Sequence, residues 1–200
     1  MNEAVIAQEV ERAETELGIK REEVFLASKI PPKEQGYEKT KAVVEKSIKT
    51  LGGKSGYIDL MLLTFPSTPG LGPKDEKNIE NRHDSWRALE EFVVSGTVKS
   101  IGVANFKPRH LEKLLTIARI KPVVNQFEVH PLYAELDTIA LCKEEDILVE
   151  AYSPLAQYNV KLIQNETLKA IASKHDLDVT QIVLAYLLSQ GYVVLPRSSK

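Results

Sequence analysis

The chain has 200 residues, of which 43% are hydrophobic, and its formal net charge of -2 at pH 7 accompanies a pI of about 6.1. This composition is typical of one globular domain or at most two, and it makes neither nucleic acid nor an anionic membrane an expected partner. The apolar runs fall short of the roughly 20 residues that span a bilayer, and the acidic N-terminal stretch does not resemble a signal sequence, so a cytoplasmic location is expected.

Helix-period and strand-type segments alternate along the chain. The pattern first predicts a helix over 2–17, a strand over 23–30, a helix over 37–52, a strand over 57–65, a helix over 84–96 and a strand over 98–106. It then predicts a helix over 108–119, a strand over 122–129, a helix over 135–146, a strand over 147–155, helices over 165–176 and 178–191, and a strand over 192–196. Asp84 is the predicted N-cap of the third helix, and residues 66–83 form the one long predicted loop.

The predicted strands are near-continuous apolar runs, which parallel strands covered on both faces require. About six units of a strand followed by a helix predict an α/β fold, either a parallel sheet or part of a (β/α)8 TIM barrel. No linker or low-complexity tract interrupts the pattern, so residues 1–200 are expected to form one domain.

Polar side chains stand at the ends of four predicted strands, where a fully buried strand would carry none. They are Lys29, Asn105, the pair Asn125 and Gln126, and Tyr152 with Ser153. A barrel brings the C-terminal ends of its strands to one mouth, so these groups are expected to meet there although the sequence scatters them. For each of them taken singly, a purely structural role is the alternative.

Six segments resemble those of the aldo-keto reductase family in order and spacing, over nearly the whole chain: EVFLASK, YIDLMLL, VKSIGVANF, KPVVNQFEVHPL, AYSPLA and VVLPRSS. The resemblance implies a (β/α)8 barrel that binds NADPH or NADP without a Rossmann fold. It also implies that a small-molecule carbonyl compound, an aldehyde or a ketone, is reduced to an alcohol by hydride transfer. The family resemblance further implies a monomer.

The resemblance assigns several residues to the nicotinamide end of the cofactor. Asn105 and Gln126 match positions that bond the carboxamide, for which an amide side chain supplies both donor and acceptor. Tyr152 matches the aromatic residue that stacks on the nicotinamide ring. Ala104 stands where the family often has serine, which removes one carboxamide contact without abolishing binding.

Four more residues match the remainder of the cofactor site. Ser153 and Leu155 match positions along the pyrophosphate and ribose. Arg197 and Ser198 match the basic and hydroxyl pair that meets the adenosine 2'-phosphate, where a guanidinium can bond bidentately. This pair favours NADP over NAD.

The family's catalytic set is matched only in part. Lys29 matches the lysine that lowers the pKa of a catalytic tyrosine, and Thr64 stands where the family has a histidine. A threonine hydroxyl can donate a hydrogen bond but has no nitrogen that titrates near neutral pH. Asn2 and Glu3 match the end of the family segment that carries the tyrosine and an aspartate. The chain is therefore expected to be a member truncated at both ends, with about six of the eight β/α units.

Without that tyrosine, histidine and aspartate, the chain is expected to reduce carbonyls poorly, because a positioned general acid typically contributes about 10²–10⁴-fold. Lys29, without its carboxylate partner, is expected to face solvent. Two other interpretations stay open: a non-catalytic NADP-binding or partner-binding protein, and a nonfunctional fragment. NADPH binding without consumption would separate the first of these from a reductase. Open barrel edges would favour self-association.

The cysteine and the other histidines carry no predicted chemistry. Cys142 is the only cysteine and is expected to be a small buried hydrophobe on a helix. His130 is expected to fix a turn after its strand, with a role as replacement base as the alternative. His83, His110 and His175 have no ligand partners at metal spacing, so no metal site is predicted.

Overall fold

The computed structural model describes residues 2–197, which form two compact units. The N-terminal unit comprises residues 2–104 and Arg109–Val123, and the C-terminal unit comprises Asn105–Pro108 and residues 124–197. Every strand pairing described here is parallel, and each unit contributes three strands in chain order. Apolar strands with helices between them are what the sequence pattern predicts.

The N-terminal unit alternates helices and strands. Its elements are α1 (Glu3–Leu17), β1 (Ala27–Ile30), α2 (Tyr37–Thr50), β2 (Ile58–Leu63), α3 (Lys77–Val94), β3 (Val98–Ala104) and, from Arg109 on, α4 (Pro108–Leu115). Short 3-10 turns cover Arg21–Glu23, Pro32–Glu34 and Gly53–Ser55. β2 lies between β1 and β3, and five of its six side chains are buried, since a strand paired on both sides and covered on both faces excludes water.

Two buried side chains of α3 hold the loop that follows α4. The Trp86 indole donates to the Ile120 carbonyl at 3.1 Å, so this ring both packs in the core and satisfies a backbone acceptor. Glu90 accepts hydrogen bonds from the amides of Arg119 and Ile120, at 2.7 and 3.0 Å. Two backbone donors thus satisfy the hydrogen-bonding capacity of this buried side chain.

The C-terminal unit contains the remaining strands. Its elements are β4 (Val124–Glu128), α5 (Leu136–Glu144), β5 (Leu148–Tyr152), the 3-10 turn Ala156–Tyr158, α6 (Val160–Ile163), α7 (Glu166–Lys174), α8 (Val179–Ser189) and β6 (Val193–Leu195). β5 lies between β4 and β6. Asn159, Asn165 and Asp178 cap the starts of α6, α7 and α8, each side chain accepting from a backbone amide of the first turn.

The prediction that Asp84 caps the third helix is wrong, and so is the prediction that residues 66–83 are all loop. α3 begins at Lys77, whose amide is met by Asp75 Oδ1 at 2.9 Å. Asn78 and Arg82 of this added stretch are buried, so it packs against the unit instead of lying in solvent. Asp84 therefore lies inside the helix, where it pairs with Arg87.

Two smaller differences concern β1 and α6. The sequence pattern predicts strand over 23–26, but the amide of Leu26 donates to the side chain of Asp59 at 2.9 Å, and the strand begins only at Ala27. α6 is a single turn that the hydrophobic period does not mark. Across residues 2–197 no helix is both long and apolar enough to cross a bilayer.

Candidate active site

Lys29 lies on β1 opposite Leu62 of β2, and its side chain is exposed, in agreement with the expectation that it faces solvent.

Glu3 accepts hydrogen bonds from two serines. Ser28, next to Lys29, donates to Glu3 Oε1 at 2.6 Å, and Ser47 of α2 donates to the same oxygen at 2.9 Å. Glu3 thus ties α1 to β1 and to α2. No local pattern indicates this cluster of a carboxylate and two hydroxyls, because Ser28 and Ser47 lie 25 and 44 residues from Glu3 along the chain.

Thr64 follows β2 directly and is partly buried. Its hydroxyl donates to the carbonyl of Ile30 at 2.6 Å, and its amide approaches the same oxygen at 3.3 Å. A hydroxyl has a single proton to donate, so this side chain in its present rotamer ties β2 to the end of β1. An imidazole at this position would have offered a second polar atom.

The C-terminal unit brings three of the predicted cofactor residues together. Asn105 has a left-handed backbone with φ of 62°, and its amide donates to the carbonyl of Gln126 at 2.9 Å. The Tyr152 hydroxyl donates to Asn105 Oδ1 at 2.9 Å. Burial, and then the charges of Glu128 and Glu135, raise the pKa of the Tyr152 phenol, which therefore stays protonated and keeps donating at neutral pH.

Gln126 is held by a residue that the sequence did not single out. Its Nε2 donates to Glu150 Oε2 at 2.7 Å, and the two residues are register partners on β4 and β5. Both side chains are buried. Since a primary amide has a second N–H and a carbonyl oxygen, this bond fixes the orientation of the amide and leaves it further bonding capacity.

Asn125 holds the backbone that follows Asn105. Its Nδ2 donates to the Phe106 carbonyl at 2.8 Å, and its Oδ1 accepts from the Phe106 amide at 3.4 Å. Asn125 is fully buried, so this reciprocal pair is shielded from water. These contacts support the structural alternative for Asn125, which holds the backbone of the residue next to Asn105.

The loop after β5 carries an unusual run of left-handed residues. Ser153 has φ of 47°, and the consecutive Ala156, Gln157 and Tyr158 have φ of 49°, 54° and 62°. None of them is glycine, and each left-handed non-glycine residue costs roughly 1–2 kcal/mol. Backbone amides of the loop bond back onto the carbonyls of Ser153 and Leu155, both at 2.8 Å. Strain of this kind is concentrated at ligand-binding segments, and here it includes Ser153 and the three residues that follow Leu155.

Arg197 is exposed and follows β6. Leu195 is the register partner of Tyr152, so Arg197 lies two residues beyond the position that pairs with Tyr152. No hydrogen bond within residues 2–197 joins Arg197 to Asn105, Gln126 or Tyr152. Ser198 lies outside the described residues.

The remaining candidates have structural roles. His130 is buried, its Nδ1 accepts from the Leu132 amide at 3.2 Å, and its Nε2 lies 3.2 Å from Glu128 Oε1, which are the contacts of a turn residue as expected. Cys142 is buried on α5, and burial raises the pKa of its thiol. No group of three potential metal ligands occurs in the part of the chain that the structure describes.

Comparison with known sequences gives a consistent family. A sequence profile described as "Aldo/keto reductase family" matches residues 2–200. "Glyoxal reductase" of Bacillus subtilis (strain 168) is 42% identical over 185 residues, covering 92% of this chain and 62% of the relative. "Glycerol 2-dehydrogenase (NADP(+))" of Hypocrea jecorina is 41% identical, covering 90% of this chain and 62% of the relative. The chain thus spans less than two thirds of the length of these curated relatives.

Solved structures match almost the entire chain. An aldo/keto reductase from Brucella melitensis has a TM-score of 0.85 at 34% identity, over 98% of this chain and 69% of that one. A Bombyx mori aldo-keto reductase solved in complex with NADP has a TM-score of 0.87 at 29% identity, over 99% and 66%. The predicted fold class, an α/β fold that corresponds to part of a (β/α)8 barrel, is confirmed.

Proposed function

Because the chain belongs to the aldo/keto reductase family, we propose that it binds NADP(H) and reduces small aldehydes or ketones to alcohols, with a catalytic rate limited by Thr64. The observation that carries this proposal is the joined arrangement of Asn105, Gln126 and Tyr152 in the C-terminal unit. NADPH, when bound, would supply the hydride for carbonyl reduction. The relatives contribute the reaction class, since their names include reductases and an NADP-dependent dehydrogenase.

The side chains present fit a nicotinamide. The Gln126 amide, oriented by Glu150, and the Asn105 side chain, oriented by the Tyr152 hydroxyl, are the donors and acceptors that a carboxamide requires. Tyr152 would offer the flat face of its ring for stacking. Its hydroxyl already bonds Asn105, so the ring orientation is fixed before a ligand arrives, and less entropy is lost on binding.

The phosphates would be bound by the backbone of the strained loop and by Arg197. The loop that carries Ser153 and Leu155 is already held by internal hydrogen bonds, with Ser153 in the left-handed region, which supports a pyrophosphate site. Arg197 would contribute a guanidinium to the 2'-phosphate, together with Ser198. An Arg197→Gln variant would accordingly weaken NADPH binding more than NADH binding.

Lys29 and Thr64 would serve the carbonyl. By the family resemblance, the exposed Lys29 ammonium would stabilise the developing alkoxide, and solvent water would supply the proton that completes the alcohol. Thr64 would have to rotate its hydroxyl away from the Ile30 carbonyl before it could donate to a substrate oxygen. Turnover is therefore expected to be slow relative to a member that has histidine at this position.

A cofactor titration tests the proposal. NADPH binding, followed through the fluorescence of the reduced nicotinamide, is expected to weaken about tenfold or more in Tyr152→Ala, since base–aromatic stacking is worth roughly 1–3 kcal/mol. Tyr152→Phe, which keeps the ring and loses only the bond to Asn105, is expected to bind better than Tyr152→Ala. Tyr186→Ala, an exposed tyrosine of α8, is the matched control and should bind like the unaltered chain. Equal affinity in all four proteins would contradict the assigned cofactor site.

The second candidate function is NADP binding without turnover, and the Thr64 hydrogen bond to Ile30 favours it. The same titration followed by addition of glyoxal separates the candidates, because glyoxal is the compound for which the Bacillus subtilis relative is named. Bound NADPH that stays reduced would support the non-catalytic protein. Consumption of NADPH that increases in Thr64→His would support the reductase, and absence of NADPH binding would support a nonfunctional fragment.

A further inference from the structure

The N-terminal unit contains a cleft of about 440 Å³ whose lining is strongly basic. Four cationic side chains line it, together with His110 and a single carboxylate, Asp75. The cations are Lys74, Arg82, Arg109 and Lys113, and the cleft is called the basic cleft below. None of these residues is among those assigned to the cofactor.

Arg82 is the unusual member of the basic cleft. Its side chain is only 4% exposed, its NH1 group donates to the Pro66 carbonyl at 3.1 Å, and its buried Nε has no hydrogen-bond partner within residues 2–197. It forms no ion pair in the described part of the chain, and burial lowers the pKa of its guanidinium. A buried charge without a counter-charge is costly, and an anionic ligand that supplied the missing charge would offset this cost.

The acids around the basic cleft are engaged elsewhere. Asp75 Oδ1 accepts from the Lys77 amide at the start of α3. Glu80 pairs with Lys77 at 2.7 Å, and Asp84 pairs with Arg87. Asp75 is the one carboxylate in the lining against four cations, so the lining of the cleft carries a net positive charge.

The wall of the basic cleft is rigid and adds positive potential. Asn78 and Ile79, in the first turn of the 18-residue α3, line the cleft, and the N-terminus of a helix favours negative charge. The Asn78 side chain accepts from the Thr68 amide and donates to the Gly72 carbonyl, each at 2.8 Å. These bonds hold the loop before α3 in place without a ligand.

We propose that the basic cleft is a binding site for a phosphate group, either of free inorganic phosphate or of a small phosphomonoester. Two guanidinium groups suit the bidentate geometry of a phosphate, and two ammonium groups add point charges. Arg82 would provide the buried contact at the wall, and the exposed Arg109 and Lys113 would close over the outer oxygens. The cleft volume accommodates a phosphate with a short organic group attached.

Calorimetric titration of the full 200-residue chain with inorganic phosphate at low salt tests the site. One saturable phosphate per chain is expected. The double variant Arg109→Gln with Lys113→Gln should weaken binding by about tenfold or more, because a charge-assisted hydrogen bond contributes roughly 1.5–3 kcal/mol. Both side chains are exposed, so the variant should fold normally, whereas a replacement of the buried Arg82 could unfold the chain. Lys46→Gln, an exposed lysine of α2, is the matched control and should leave the affinity unchanged.

Two further arms complete the experiment. Arg197→Gln should leave phosphate binding intact; loss of binding in this variant alone would assign the ion to the cofactor site and overturn the proposal. No saturable binding, or equal binding by the double variant and Lys46→Gln, would also overturn it. Glycerol 3-phosphate should bind and glycerol should not. Tighter binding of glycerol 3-phosphate than of inorganic phosphate would identify the ligand as a phosphomonoester, and the reverse order would identify it as free phosphate.

Discussion

The two buried arginines of the N-terminal unit differ in how their charge is satisfied. Arg21 donates to Asp59 Oδ2 at 2.7 Å and lies 4.1 Å from the centre of the Tyr57 ring, so it has both a counter-charge and an aromatic face. Arg82 donates to a backbone carbonyl, and no carboxylate among residues 2–197 pairs with it. Arg21 therefore links β2 to the segment before β1. The unpaired charge of Arg82 is instead available to a bound anion in the proposed phosphate site.

His83, next to Arg82, gives the chain a pH-dependent stability. Burial is the main cause that lowers the pKa of His83 below its usual value of 6.5, and the charges of Arg82, Arg87 and Lys113 lower it further. Between the lowered pKa and 6.5 the unfolded chain binds more protons than the folded chain, so the free energy of unfolding falls as the pH is lowered through this window.

Urea unfolding at a series of pH values measures this effect. His83→Gln is expected to flatten the loss of stability below pH 6.5, while His175→Gln, an exposed residue after α7, should keep the original profile. An identical slope in His83→Gln and the unaltered chain would show that other groups cause the acid sensitivity.

A side-chain cap marks the start of α8 in the sequence, and α3 lacks such a cap. α8 begins with a capping box. Asp178 Oδ1 accepts from the Gln181 amide at 3.0 Å, and Gln181 Oε1 accepts from the Asp178 amide at 2.9 Å. Its predicted start at residue 178 agrees with the structure within one residue. α3 has no side-chain cap of this kind at Glu76, and there the local pattern misplaced the start.

Removal of the α8 cap is expected to lower the free energy of unfolding by about 1 kcal/mol, the usual contribution of an N-cap side chain. The change is Asp178→Ala, measured by chemical denaturation. Asp178→Asn keeps an oxygen acceptor for the Gln181 amide and is the matched control, expected to be close to neutral. Equal destabilisation by Ala and Asn would mean that the carboxylate charge, and not the capping hydrogen bond, matters.

At the scale of the whole molecule, apolar surface is left uncovered on the N-terminal unit. α1 carries no buried residue, and its Val5 and Leu17 are 58% and 69% exposed. Phe25, just before β1, is 67% exposed. Uncovered apolar surface next to a strand that is paired to β2 on one side favours association with a second copy of the chain.

Sedimentation velocity at increasing protein concentration tests this association. The unaltered chain is expected to increase in mean sedimentation coefficient with concentration, and the double variant Val5→Asp with Leu17→Asp should reduce that increase. Val94→Asp, an 83% exposed valine at the end of α3, is the control and should behave like the unaltered chain. A concentration-independent monomer would contradict the expectation.

The amino-acid sequence by itself determined the order of the helices and strands, the α/β class and the family of this protein. The alternation of apolar strands and amphipathic helices determined the element order and the α/β class, because hydrophobic period is encoded within a few neighbouring residues. The ordered segments that contain Lys29, Asn105, Gln126 and Tyr152 identified the family, which the comparisons confirmed.

Tertiary structure alone decided which side chains bond one another. Glu150 became the partner of Gln126 through strand register, 24 residues away, and the Thr64 hydroxyl bonded Ile30, 34 residues away. The basic cleft likewise assembles Arg82 and Lys113 from two different helices. No local pattern contains these pairings, because the distance between residues remote in the chain is set only when the strands register and the helices pack.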